Sequence, residues 1–367
     1  MNHTTLFLIA TLCNFLTTPL HAEDQAYLTR GYRLTALPLA GFSSDDGPGY
    51  GFRLNLFRYD GQTIPYHRAY ALQFFFTTKG KWAHRLKVDL PNLGPNQRFE
   101  IDVRYDKEDF ANYFAELTDR EIDGYTKEQQ TFRQHYPTLG ARWIRTLNGP
   151  WRFRTGFIAG HTTITPNDPQ GGLLRLLHPP GADGGTLFRV HAALRYDTRD
   201  NYLNGSRGFL EEFLVEYGYG EGGRFNGGQA WYEHRHFLPL TRTLTLAQRG
   251  QITLTWGDVP FYEQPKLGSS KTVRGLAPAR KRGEGRILIN NELRWQGFLV
   301  SQSRSIYLGS ILFADIGQIF KHGPSLSRWE LGAGAGLRMY WFSTIMRMDL
   351  GRSKNHTGLY MRFAQTF

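Results

Sequence analysis

Apolar and polar residues alternate with a period of two along most of this chain. In Arg98–Tyr105, Phe99, Ile101, Val103 and Tyr105 alternate with Arg98, Glu100, Asp102 and Arg104. Phe188–Asp197 and Thr344–Leu350 repeat the pattern. Successive side chains of a strand point to opposite faces, so each such segment has one apolar and one charged face. About sixteen segments qualify. They lie near 34–42, 49–59, 66–78, 81–90, 97–106, 131–146, 151–163, 186–198, 208–219, 226–238, 243–256, 285–297, 303–315, 328–340, 342–351 and 357–367. Many reach the ~9–11 residues that a tilted strand needs to cross a bilayer.

A soluble sandwich and a membrane barrel both alternate; the connections separate them. Those after even-numbered segments are short and rich in turn residues, as at 91–96, 147–150 and 239–242. Several after odd-numbered segments are long: 107–130, 164–185, 257–284 and 316–327. Outer-membrane barrels have short periplasmic turns and longer external loops. The sequence therefore predicts an all-β fold, a single antiparallel transmembrane barrel of about sixteen strands. Both chain ends would face the periplasm, and a long loop would join strands eleven and twelve. Trp329 and Trp341 bracket the apolar stripe from Leu331 to Met339, as girdle residues do.

Composition excludes the main competitors. No run of ~20 apolar residues follows the first 22, so a helical membrane bundle is excluded. Aromatic residues make up 14% of the chain, too many for intrinsic disorder. A single cysteine, Cys13, rules out a disulfide scaffold. Residues Leu6–Leu16 are apolar, and Leu20-His21-Ala22 precede Glu23, which reads as a secretory signal over 1–22 and a barrel over 23–367. The net charge of +12 reflects 44 Lys+Arg against 32 Asp+Glu. Thirteen of the arginines, Arg53, Arg249, Arg294, Arg338 and Arg347 among them, share the lumenal parity. Lumenal Arg–carboxylate ladders are expected, so nucleic acid is not needed to account for the charge.

The loop near 257–284 contains Val273-Arg274-Gly275-Leu276. The next strand carries Glu292-Leu293-Arg294, and the one after it Phe313-Ala314-Asp315-Ile316-Gly317. Asp197-Thr198-Arg199-Asp200, with Gly208 following, stands at an earlier turn. In this order and spacing the motifs resemble the BamA/TamA/surface-antigen superfamily of outer-membrane assembly barrels, from about Thr186 to the end. Leu276 replaces the family's usual aromatic. The resemblance implies that the loop folds into the lumen, where Arg274 pairs with Asp315 and approaches Glu292, beside Phe313 and Gly317. It implies Asp197, Arg199 and Asp200 as a turn signature, and Phe363 and Phe367 as a C-terminal sorting signal. Only Glu23 to about Tyr32 precede the first strand, so the resemblance implies a member without POTRA domains. The expected activity is insertion or export of a protein or lipid client at a seam between first and last strands. Expected partners are outer-membrane lipids, lipopolysaccharide and a periplasmic or outer-membrane client, with no nucleic acid. A structural or pore-forming barrel is the alternative.

Other candidates keep two readings. Arg280-Lys281-Arg282 could meet phosphates or could be a loop edge. Gly332, Gly334 and Gly336 could admit a close loop or relieve lumenal crowding. His234-x-His236 presents two imidazoles on one face with no third ligand nearby. There is no G-x-S-x-G elbow, so no catalytic residue, metal or cofactor is expected.

Overall fold

The computed structural model describes residues 30–367 except 222–224, 303–304, 322, 327, 342–343 and 355. The signal segment 1–22 lies outside the described residues. The alternating segments form β1 (Arg30–Ser43), β2 (Gly47–Asp60), β3 (Arg68–Thr77), β4 (Trp82–Gly94), β5 (Gln97–Asn112), β6 (Thr131–Thr146), β7 (Trp151–Pro166) and β8 (Gly185–Asp197). They continue as β9 (Gly208–Gly220), β10 (Asn226–Pro239), β11 (Leu244–Asp258), β14 (Gly285–Ser301), β15 (Ile306–Phe320), β16 (Glu330–Trp341), β17 (Thr344–Arg352) and β18 (Thr357–Phe363). Two short strands, β12 (Lys266–Leu267) and β13 (Lys281–Arg282), pair with each other inside the long loop. The sixteen long strands close into one antiparallel barrel.

Inside and outside follow the sequence parity. On β8, Phe188, Val190 and Leu194 are exposed on the outer wall. On β5, Glu100 and Asp102 are buried in the lumen, where Lys87 meets Glu100 at 2.8 Å and Arg85 and Arg104 grip Asp102. Along the wall Arg142 of β6 meets Glu100 of the adjoining β5 at 2.8 Å, and Arg154 of β7 reaches past β8 to Glu212 of β9 at 3.1 Å. The expected Arg–carboxylate ladders are therefore built.

Strand bounds shift by a few residues in several places, as where β4 runs on through 91–94 and β1 and β14 extend to Arg30 and Ser301. Three further stretches depart from the sequence expectation. The segment 107–112 is strand, because Lys107 and Glu108 continue the β5 ladder against His135 and Gln134 of β6. The thirteenth long strand, β15, is displaced toward the C-terminus and runs to Phe320. The last strand stops at Phe363 rather than Phe367, because Ala364 adopts φ +67° and turns the chain.

The loops at one end pack on each other. The β5–β6 loop carries α1 (Asp119–Ile122) and α2 (Lys127–Gln130), each opened by a capping box. The β7–β8 loop carries α3 (Gly172–Leu177). Tyr113, Phe132, Leu173, Leu174, Phe261 and Tyr262 form the apolar core of this cap.

The closure of the barrel is uneven. β1 pairs with β2 along its whole length, from Arg30↔Asp60 to Ser43↔Gly47. Against β18 it pairs only through Phe42↔Met361 and Ser43↔Tyr360. Among the described residues, the other edge of Arg30–Gly41 therefore has no ladder partner.

Candidate functional site: the loop lock in the barrel lumen

The long loop enters the lumen and is gripped there by its backbone. Arg286 donates to the Lys266 carbonyl (3.0 Å), Arg249 to that of Lys271 (2.6 Å) and Asn290 to that of Thr272 (2.8 Å). Side chains add a second hold: Glu263 of the loop accepts from Tyr136 at 2.7 Å and from Arg189 at 2.8 Å.

Arg274 sits at the centre and is fully buried. Its Nε and Nη2 donate to the two Asp315 oxygens at 2.7 and 2.8 Å, a bidentate fork. Its backbone N–H adds a third bond to Asp315 at 3.0 Å. Nη1 meets Glu292 at 2.7 Å and Asp349 at 3.3 Å. The guanidinium lies 3.5 Å from the centroid of the Phe313 ring. Asn290 donates to Asp315 at 2.7 Å and so fixes the carboxylate from its other side. Alternation explains the assembly: Asn290, Glu292, Phe313, Asp315 and Asp349 all occupy inward positions on β14, β15 and β17.

The flanking residues fill the remaining space. Gly275 has φ +84°, and a Cβ there would lie 2.5 Å from the Arg352 backbone. Its N–H donates to the Tyr360 hydroxyl (3.2 Å) and its carbonyl accepts from Ser353 (2.6 Å). Val273 and Leu276 pack with Leu267 and Leu288, and the missing side chain of Gly317 leaves room for Leu267 and Val273. Gly332 of the glycine ladder faces the Arg274 carbonyl, whereas Gly336 faces the Asp349 and Arg338 side chains. Both readings of that ladder therefore apply, each at its own rung.

Sequence reasoning did not place Asp349, Tyr360 or Thr366 at the loop. Asp349 also receives Arg338 and Arg347, so guanidiniums of Arg274, Arg294, Arg338 and Arg347 interleave with carboxylates of Glu292, Asp315 and Asp349. Its inward parity beside the glycine ladder was the available signal. The arrangement is a cage of interleaved ion pairs in which every carboxylate is paired, while one nitrogen each of Arg294, Arg338 and Arg347 is buried without a hydrogen-bond partner among the described residues. It offers no nucleophile–base pair, and no metal-binding cluster occurs among the described residues.

The C-terminal tail enters the same cage. Phe367 is not on the outer face with Phe363. It is buried against Phe237 and Ala247, with the guanidiniums of Arg294 and Arg249 at 4.9 and 5.3 Å from its ring. Arg294 also donates to the Phe367 carbonyl at 3.2 Å. The Thr366 hydroxyl accepts from Arg347 and, at 3.4 Å, from Arg274. Gln365 donates to Asn204 at 3.0 Å, in the turn that follows Asp197-Thr198-Arg199-Asp200. There Asp197 takes a bidentate contact from Arg199 (2.9 and 2.8 Å). Asp200 accepts the N–H groups of Asn201 (2.8 Å), Ser206 (2.9 Å) and Arg207 (3.2 Å).

The Arg280–Arg282 run is a loop contact. Arg280 binds Asp119 and the Leu117 carbonyl, and Arg282 the Phe261 carbonyl. The paired imidazoles His234 and His236 lie on the outer wall, where His234 meets Glu211 at 2.6 Å.

Comparisons with known proteins agree with the barrel fold. BamA from Haemophilus ducreyi lacking POTRA domains 1–3 superposes with a TM-score of 0.63 at 12% identity, covering 92% of this chain and 69% of that one. CdiB from Escherichia coli gives 0.59 at 13% identity, covering 93% and 68%. CdiB from Acinetobacter baumannii gives 0.54 at 12%, covering 92% and 66%. The chain thus spans about two thirds of the length of the structures it matches, and at these identities the likeness is one of fold. No curated protein matches the chain. The family model of the Omp85 superfamily domain matches residues 67–351, which include the loop, its carboxylate partners Glu292, Asp315 and Asp349, and the turn after β8. This bacterial outer-membrane β-barrel belongs to the Omp85 superfamily.

Proposed function

We propose that this barrel aids insertion or translocation of a protein or lipid client at the seam between β1 and β18, with the Arg274 loop locked inside as a fixed strut. The observation that carries this reading is the unequal pairing of β1. One edge is fully laddered to β2, and the other is laddered only at Phe42 and Ser43. Unpaired strand edges bind extended chains by backbone hydrogen bonding. Tyr32 and Leu34 are exposed on this strand. They would meet an added strand or lipid from the membrane side. Pro38 withholds one N–H from the strand, which limits spontaneous pairing.

The lock supports the reading from the other side. With Arg274 tied to β14, β15 and β17, the C-terminal wall stays rigid up to β18, and the seam is its weakest line. The test is a covalent tie across that line. In a strain lacking the chain, a Phe42→Cys/Met361→Cys variant with Cys13→Ser should complement when reduced and fail when oxidised. Full complementation by the oxidised form would contradict the reading.

A further inference from the structure

On most strands the outward positions between the two strand ends are apolar, as with Leu331, Ala333, Ala335 and Leu337 on β16 or Tyr70, Leu72 and Phe74 on β3. The adjoining strands β9, β10, β11 and β14 break this rule with Glu211, His234, His236, Gln248 and Asn291. All five face outward. Glu211 shares its parity with the exposed Phe213, and both imidazoles share theirs with the exposed Tyr232 and Leu238. Gln248 lies between the buried Ala247 and Arg249, and Asn291 between the buried Asn290 and Glu292.

Register makes them one patch. Glu211 is opposite His234, His236 is opposite Gln248, and Gln248 is opposite Asn291. Part of the patch is satisfied internally. Glu211 accepts from Tyr232 and meets His234, and Gln248 donates to Asn291 at 2.9 Å. His236 makes no hydrogen bond to the described residues; its ring only neighbours that of His234. The patch lies toward the short-turn end of the wall, one or two outward apolar positions in from the strand ends. Leu238, Leu246 and Leu293 lie between it and the short-turn end, and Phe213, Ile252 and Ile289 lie on its other side. Polar groups held in hydrocarbon are unfavourable unless something pairs with them.

We infer that this patch is a two-fold interface through which a second copy of the barrel docks side by side in the membrane. A two-fold contact presents one surface to itself, so that surface must carry donors and acceptors together. This one does: a carboxylate and amide oxygens accept, while the His236 imidazole and the amide nitrogens donate. Lipid tails supply neither. The location is also compatible with the seam, because β9 lies halfway round the sixteen-strand circuit from β1. Docking here leaves the β1 edge free in both copies.

The test uses the full chain in native membranes. Gln248→Cys in a Cys13→Ser background, treated with a short bis-maleimide, should give a species of twice the chain mass linked 248 to 248. A Leu72→Cys control should stay monomeric. Adding Glu211→Leu and His236→Leu should lower the dimer yield at least tenfold while heat-modifiable migration persists. Native mass spectrometry of the unmodified chain released from membrane vesicles should independently show the dimer. The inference is overturned by monomer alone in that measurement, by equal yields at 72 and 248, by a yield indifferent to the leucines, or by adducts only with a different protein.

Discussion

Gly332 faces the carbonyl oxygen of Arg274 so closely that a Cβ at this position would overlap it. The β16 wall and the loop backbone thus occupy adjoining space with no room for a methyl group. Gly332→Ala should push the loop off its seat and lower stability by about 1–3 kcal/mol, the usual range for overpacking. A lower temperature for the shift in heat-modifiable migration, with faster protease cleavage within 257–284, would register it.

Arg274 touches three carboxylates and an aromatic face, so its substitutions should be graded. Arg274→Ala leaves the buried Asp315 without a cationic partner and Glu292 with Arg294 alone, at a cost of about 3–5 kcal/mol. Arg274→Lys keeps the charge but loses the fork to Asp315, and should fall between Ala and wild type. Insertion should persist in both, because the barrel ladders do not depend on the loop. Denaturant midpoints would rank the variants, and unchanged loop proteolysis in Arg274→Ala would remove the lock from the account. Planar-bilayer conductance that rises in Arg274→Ala would favour a loop-gated pore.

Phe367 covers Ala247, which has no exposed surface. Phe367→Ala should open this site, so a cysteine placed at Ala247 in a Cys13→Ser background should react with a water-soluble maleimide several-fold faster. The same substitution removes two cation–π contacts, each worth about 0.5–2 kcal/mol.

Acid should loosen the turn after β8. Burial alone would raise the Asp200 carboxyl, but the Ser206 hydroxyl and the N–H groups of Ser206, Arg207 and Asn201 outweigh it and hold it below its ordinary 3.8. A depressed folded value means that the contribution is present above the unfolded value and is lost as pH falls through the folded one. The protection of amides 201–207, relative to their intrinsic exchange at each pH, should therefore fall below about pH 4, the unfolded value for Asp. Asp200→Asn should remove that dependence.

The wall was legible in the sequence because its signal is local. Strand parity alone places Arg98, Glu100, Glu292 and Asp315 inside, and a one-residue slip would have reversed them all. The motif order then brought Arg274 to its two carboxylates. What escaped was set by distant contacts. Gln365 interrupts the apolar face between Phe363 and Phe367, but nothing local announces the left-handed turn at Ala364. It forms because Arg294, Arg347 and Arg249 offer partners that the outer face lacks. Asp349 escaped for the same reason, since its role depends on a loop some 75 residues away. His234 and His236 could be assigned a face only once Glu233 and Phe237 were seen to be buried.

The open edge of β1 is the claim on which the account of function rests, and photo-crosslinking in intact cells tests it most directly. A photo-reactive residue at Leu34 should capture a client, identifiable by mass, whereas one at Leu72 in the fully paired wall should capture none. Equal capture at both positions, or none at Leu34, would contradict it.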